Sequence, residues 1–248
     1  MNVLGEPIRP ALAQIPADIG HSADYERYAR HHLAADTWRH IQDGVDQNLT
    51  LGHNRAAFDR LQLLPQPIAR LKGGHTRLQL LEQDFAHPLL VAPLAYQRLA
   101  HPEGELASVR AAMALQAGYV CSTLSSYSLE EVAAAARAAV QELGRGAPLW
   151  FQLYAQPERA HTLELVRRAE AAGYQAMVWT VDAGIKRAGF ALPPGVEAVN
   201  LRGFPGVHQT SQAALTGQGA SCWARRWQTP SPAGMTWRGC ASKPRCRW

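Results

Sequence analysis

No uninterrupted apolar stretch in the chain approaches the roughly 18 residues that a membrane-crossing helix needs. The opening, Met1 to Pro10, has no basic segment followed by an apolar core. Neither a bilayer span nor a secretory signal is therefore expected, and a cytoplasmic location follows as the default. No Gly-x-Gly-x-x-Gly turn follows any strand-like segment, which argues against a dinucleotide-binding sheet. Cysteine is scarce, four in 248 residues, and no close pair forms the knuckle that a structural zinc site requires. No metal is expected, and no disulfide framework in a reducing compartment.

Acidic residues are absent from 221–248, as are Leu, Ile and Val. That stretch holds six of the 25 Lys and Arg, Cys222, Cys240 and Cys246, and four of the seven tryptophans. Without it, 19 basic face 20 acidic side chains, so the formal charge of +5 belongs to the tail. The body is not basic, and a nucleic-acid partner is not expected.

What is present is a regular alternation. Residues 1–22 lack clear periodicity and read as an arm. Tyr25, Tyr28, Ala29, His32 and Leu33 recur at helical spacing, and the helix continues, with a break, through Trp38 and Ile41 to Gly44. Asn54 to Arg60 reads as a further short helix and Thr76 to Leu81 as a strand. Strands are then expected over 88–93, 119–123, 149–154 and 176–181, and helices over 102–117, 128–143 and 157–172. Ser128 and Glu131 have capping-box spacing, and Gly173 stands where a helix would stop. Apolar strands alternating with helices imply a parallel sheet. Each strand ends in a different polar or aromatic group, which favours a barrel whose strand ends converge on one face.

Those strand ends carry a resemblance. Val91-Ala-Pro-Leu-Ala-Tyr-Gln, His101-Pro-Glu-Gly-Glu, Thr123-Leu-Ser-Ser, Phe151-Gln-Leu-Tyr, Val166-Arg-Arg-Ala-Glu with Ala172-Gly, and Thr180-Val-Asp stand in one register. Upstream, Asp46-Gln-Asn-Leu-Thr-Leu and Asn54-Arg-Ala-Ala-Phe-Asp-Arg fit the same pattern. Over residues 23–207 the chain resembles the FMN-dependent α-hydroxy-acid oxidases and dehydrogenases, of the glycolate oxidase and flavin L-lactate dehydrogenase type. The resemblance implies an α/β fold of the TIM (β/α)8-barrel family, here the first four β/α units plus N-terminal helices. It implies FMN as cofactor and oxidation of a small 2-hydroxy acid to the 2-oxo acid, with a homo-oligomer as an expected assembly. Pro93, Leu94 and Ala95 would lie against the flavin ring. Ser125, Gln152 and Thr180 would hydrogen-bond its polar edge or ribityl chain. Tyr154 would face the substrate, and Asp182 would orient a catalytic His from a later strand. Taken singly, these side chains are equally at home as turn formers or satisfied buried polar groups.

Departures from the family pattern matter as much. His40 stands where the family has a substrate-contacting Tyr. The loop after Asp182 is short, with Lys186 or Arg187 as the only nearby cations to replace a carboxylate-binding Arg. The family's flavin-stabilising Lys, its His base and its phosphate loops have no counterpart here, so the chain as it stands is expected to be inactive. Residues 23–220 are read as the barrel's N-terminal half and 221–248 as a non-native tail from a shifted reading frame. Decoding the tail in the neighbouring frame permits Asp-Asp-Val-Ala-Trp-Leu, which resembles the family's segment before its fifth strand. The alternatives are a non-catalytic half-barrel that associates with another chain, or another flavin- or phosphate-binding barrel enzyme.

Overall fold

A computed structural model describes residues 1–44, 46–65, 72–156, 158–181 and 192–204. The chain forms two compact units, Met1–His75 and Thr76–Trp248.

The first unit carries α1 (Tyr25–His32), α2 (Ala35–Gln42) and α3 (Leu49–Asp59). The expected break in the first helix falls at Leu33 and Ala34, both in extended backbone. The arm is anchored there: Asn2 bridges to Ala34, and its Oδ1 accepts from the main-chain N–H of Leu4 and Glu6. Helix α3 starts five residues earlier than expected, because Asn48 takes a left-handed conformation that re-aims the chain (φ 60°).

The second unit opens with a hairpin, β1 (Leu78–Leu80) and β2 (Gln83–Phe85), paired antiparallel. Only its first strand was legible, since the second is three residues long and polar for two of them. The main sheet has β3 (Leu90–Val91), β4 (Gly118–Ser122), β5 (Leu149–Leu153) and β6 (Ala176–Trp179), all parallel and in sequential order. Helices α4 (Gly104–Ala114), α5 (Leu129–Leu143) and α6 (Arg159–Ala172) connect them. A sequential order without reversal is that of a barrel wall, unlike a doubly wound sheet.

Local chemistry sets the helix ends. The Ser128 hydroxyl accepts from Glu131 N–H (3.2 Å), and the Glu131 carboxylate returns to Ser128 N–H (2.8 Å), the capping box read from sequence. Gly144 and Gly173 close α5 and α6 with positive φ (63° and 92°).

The two faces of the sheet do different work. One packs Tyr119, Cys121, Phe151 and Leu153 under the helices, against Val109, Met113, Leu129, Val132 and Leu165. Each of the larger side chains, fully buried, contributes about 1.5–3 kcal/mol. The small Ala133, Ala136 and Ala139 let α5 lie close between α4 and α6. On the other face, Val120, Trp150 and Ala176 are covered by Phe85 from the hairpin. Trp150 meets Phe85 edge-on at 5.8 Å and donates from Nε1 to Gln83 Oε1 (2.8 Å). Gly118 permits this closure: a Cβ there would stand 2.9 Å from both Leu90 Cγ and Phe85 Cε1. The N-terminal half of this face is thus plugged by apolar groups.

Candidate functional site

Alternation along the strands places Ser122, Gln152 and Thr180 on the plugged face, one step beyond Val120, Trp150 and Val178. The apolar plug therefore gives way to polar groups at the strands' C-terminal ends. Gln152 is the hub, only 2% exposed. Its Oε1 accepts from Thr123 N–H (3.2 Å) and the Ser122 hydroxyl (3.3 Å), and its Nε2 donates to Thr180 Oγ1 (3.0 Å). The Thr123 hydroxyl donates to the Gln152 carbonyl (2.6 Å) and accepts from Tyr154 N–H (3.0 Å). Three strand ends are thereby tied into one network.

Among the described residues, the donor inventory of this network leaves two groups to spend. Gln152 Nε2 carries a second N–H, and the Thr180 hydroxyl, which accepts from Gln152, keeps its own hydrogen to donate. Two donors side by side at the mouth of a half-barrel fit the acceptor atoms along a flavin's pyrimidine edge. Pro93 and Leu94, in the loop after β3, are exposed, Leu94 at 60%, and present apolar surface at the C-terminal end of that strand.

The other expected residues fall as follows. Tyr154 is half-buried at the tip of β5, its carbonyl accepting from Gln156 Nε2 (2.7 Å). Ser125 is wholly buried: its N–H donates to Ser122 O (3.1 Å), its carbonyl accepts from Val199 N–H (3.2 Å) and its hydroxyl from Tyr127 N–H (3.3 Å). His40 lies exposed at the end of α2, in the first compact unit. Asp182, Lys186, Arg187 and the tail 221–248 lie outside the described residues. Among the described residues, no cluster of His, Cys, Asp and Glu could hold a metal. No described helix is long and apolar enough to cross a membrane.

Sequence reasoning missed Thr123 and Ser122 as parts of the network. The signal was present, two hydroxyl residues closing an apolar strand, but it also describes an ordinary turn. It also missed the return segment 192–204. There Asn200 Oδ1 accepts from Leu129 N–H (2.9 Å), and Arg168 grips both Glu130 oxygens (2.8 and 2.9 Å) and the Asn200 carbonyl (3.2 Å). The Arg168 guanidinium holds the Glu130 carboxyl below its usual range. Burial pushes the Cys121 thiol up to about 12, so it is no nucleophile.

Comparison with known proteins bears on this arrangement. The profile of the FMN-dependent dehydrogenase family matches residues 29–244. An L-lactate oxidase of Alicycliphilus denitrificans is 44% identical over 224 residues, which are 86% of this chain and 59% of that protein. A 4-hydroxymandelate oxidase of Amycolatopsis orientalis is 41% identical over 77% of this chain and 52% of its own length. A solved mandelate oxidase with (S)-4-hydroxymandelic acid superposes with a TM-score of 0.67 at 38% identity, covering 82% of this chain and 56% of that one. A mandelate oxidase variant with a C4a-OH-FMN adduct gives 0.63 at 40% identity, over 71% and 53%. The chain thus spans between about two-fifths and three-fifths of the relatives it matches, from 39% to 59%, and the matched solved proteins are flavin enzymes of barrel fold. With the sequential parallel sheet, the strand-end network and a family match across most of its length, this chain belongs to the FMN-dependent dehydrogenase family.

Proposed function

We propose that the chain carries the flavin-edge half of a 2-hydroxy-acid oxidase site, of the kind that turns lactate, glycolate or mandelate into the 2-oxo acid. The single observation behind this reading is the Gln152 hub, with unspent donors on Gln152 and Thr180 at converging strand ends. FMN, when bound, supplies an electron sink that takes a hydride equivalent from the substrate's α-carbon. Gln152 Nε2 and the Thr180 hydroxyl donate to the polar edge of its ring. Pro93, Leu94 and Ala95 pack on the ring's face and exclude water from it. Ser125 shapes the neighbouring turn through its contacts with Tyr127 and Cys121. Tyr154 faces the hydroxy acid. Asp182 would orient the His base that the family supplies from a later strand.

Binding of FMN to the full chain, followed by flavin fluorescence, tests the reading. Quenching that saturates, and that weakens at least tenfold in Gln152→Met, supports it. Absence of saturable binding by the folded chain, or equal binding by the variant, refutes it. A panel of 2-hydroxy acids added to the complex should leave the flavin oxidised, as expected of a chain without the family's His base.

A second reading is favoured by the sheet itself. β3 and β6 are its outermost strands, and Leu89 and Val181 beside them are largely exposed. Edges of this kind recruit further strands, so association with another chain, or with copies of this one, is the alternative. Sedimentation of the purified chain distinguishes a lone species from an assembly. We place the protein in the cytoplasm and read 221–248 as translated out of frame. The coding DNA tests the latter: barrel sequence downstream in another frame upholds it, and its absence refutes it.

A further inference from the structure

Glu105 is a carboxylate with no solvent exposure, and no cationic side chain among the described residues pairs with it. A buried acid needs compensating donors; here two main-chain amides supply Oε1, while the buried Oε2 has no hydrogen-bond partner among the described residues. Its Oε1 accepts from Gln97 N–H (3.0 Å) and from Ser126 N–H (2.9 Å). Those amides belong to different loops. Gln97 lies two residues beyond Ala95 in the loop after β3, and Ser126 follows Ser125 in the loop after β4. One oxygen therefore joins the platform proposed to meet the flavin's face to the turn proposed to meet its edge.

Neighbouring contacts make this junction stiff. Tyr96 N–H donates to Leu124 O (3.1 Å), and Arg98 N–H to the Ser126 hydroxyl (3.4 Å), so three consecutive amides of the 96–98 turn are held by the β4 loop or by Glu105. Tyr96 itself has φ 54°, a left-handed conformation that a non-glycine residue adopts only when its surroundings impose it. Gly104, next to Glu105, brings α4 against the same turn: a Cβ there would stand 3.0 Å from Arg98 N. Helix α4 thus delivers a buried acceptor to a strained turn at close range.

We propose that Glu105 is a positioning residue that sets the spacing between the 93–95 loop and the 123–126 loop through its Oε1, and so the geometry of the flavin-facing rim. The proposal rests on the flavin reading above for its purpose, and on the two main-chain bonds for its existence. An acceptor at Oε1 is what the junction needs, and the charge is not. Glu105→Gln retains an acceptor of the same reach, whereas Glu105→Met fills the same space without one.

The test is amide hydrogen exchange on the full-length chain together with FMN titration. In Glu105→Met, the Gln97 and Ser126 amides should exchange at least tenfold faster, with the Phe151 amide of β5 unchanged, and FMN should bind at least fivefold more weakly. Glu105→Gln should stay within twofold of the native chain in all three. Exchange at Gln97 and Ser126 within twofold of native in Glu105→Met would overturn the proposal. So would opened amides with unchanged FMN affinity, or a Glu105→Gln variant as impaired as Glu105→Met. If Glu105→Met does not fold, Glu105→Gln alone decides, native-like exchange and FMN binding upholding the acceptor role. If the native chain binds no FMN, the flavin reading fails by itself, and the exchange pair still decides whether Glu105 joins the loops.

Discussion

Replacing Gln152 by Met separates the hub's hydrogen bonds from its shape, because the two side chains are alike in length and volume. Three partners lose out. The Thr123 N–H is buried and loses its acceptor, which costs about 1–3 kcal/mol. The Ser122 hydroxyl, 4% exposed, loses the acceptor for its hydrogen, about 0.5–1.5 kcal/mol. Thr180 is half-exposed and can turn to water, so its loss is small. The apolar side chain regains part of this through burial, leaving a net loss of about 2–3 kcal/mol. Urea titration by far-UV circular dichroism reads it as a lower midpoint at unchanged slope. In a unit of this size it corresponds to a fall in Tm of about 4–12 °C. Thr180→Val should lose less, about 1 kcal/mol, since only the part-buried bond from Gln152 Nε2 to Thr180 Oγ1 disappears. A Gln152→Met midpoint within about 0.5 kcal/mol of native would show that the network does not hold the strand ends together.

Gly118→Ala should cost about 1–3 kcal/mol, as its Cβ would press on Leu90 Cγ and Phe85 Cε1 at 2.9 Å; a denaturation midpoint equal to native would show that the hairpin plug yields freely. Ser128→Ala removes the α5 cap and should lower stability by about 1 kcal/mol, read the same way. Arg168→Met should free the 192–204 segment, seen as faster limited proteolysis there. Its pH dependence has a definite sign. Arg168 depresses the folded-state Glu130 pKa, so the pair's contribution is present above the unfolded carboxyl's value of about 4.5 and is lost as pH falls through the lower folded value. Glu130 is nearly half exposed, so screening limits the effect to about 0.5 kcal/mol, and the gap between native and variant should close as pH falls below the ordinary carboxyl value of about 4.5. Cys121, with its thiol raised to about 12 by burial, should resist a thiol reagent at pH 8 until the chain unfolds; mass mapping of modified Cys121 in the native chain would contradict its burial.

The alternation of strands and helices, the helix caps at Ser128 and Gly173, and the strand ends at Gln152, Tyr154 and Thr180 all follow from local chemistry. An apolar run between two helices, a hydroxyl three residues before a Glu, and a polar residue closing a strand each act over a few neighbours, so sequence alone determined them. The side of the sheet on which Gln152 sits, its union with Ser122, Thr123 and Thr180, the Phe85 plug and the buried Glu105 junction were decided only in three dimensions. Apart from Gln97, eight residues from Glu105, their partners stand 21 to 67 residues apart. Strand pairing, register and the approach of α4 to the 96–98 turn bring them within hydrogen-bonding reach. A carboxylate in the first turn of a helix reads in sequence as a solvated charge, and only packing turned Glu105 inward.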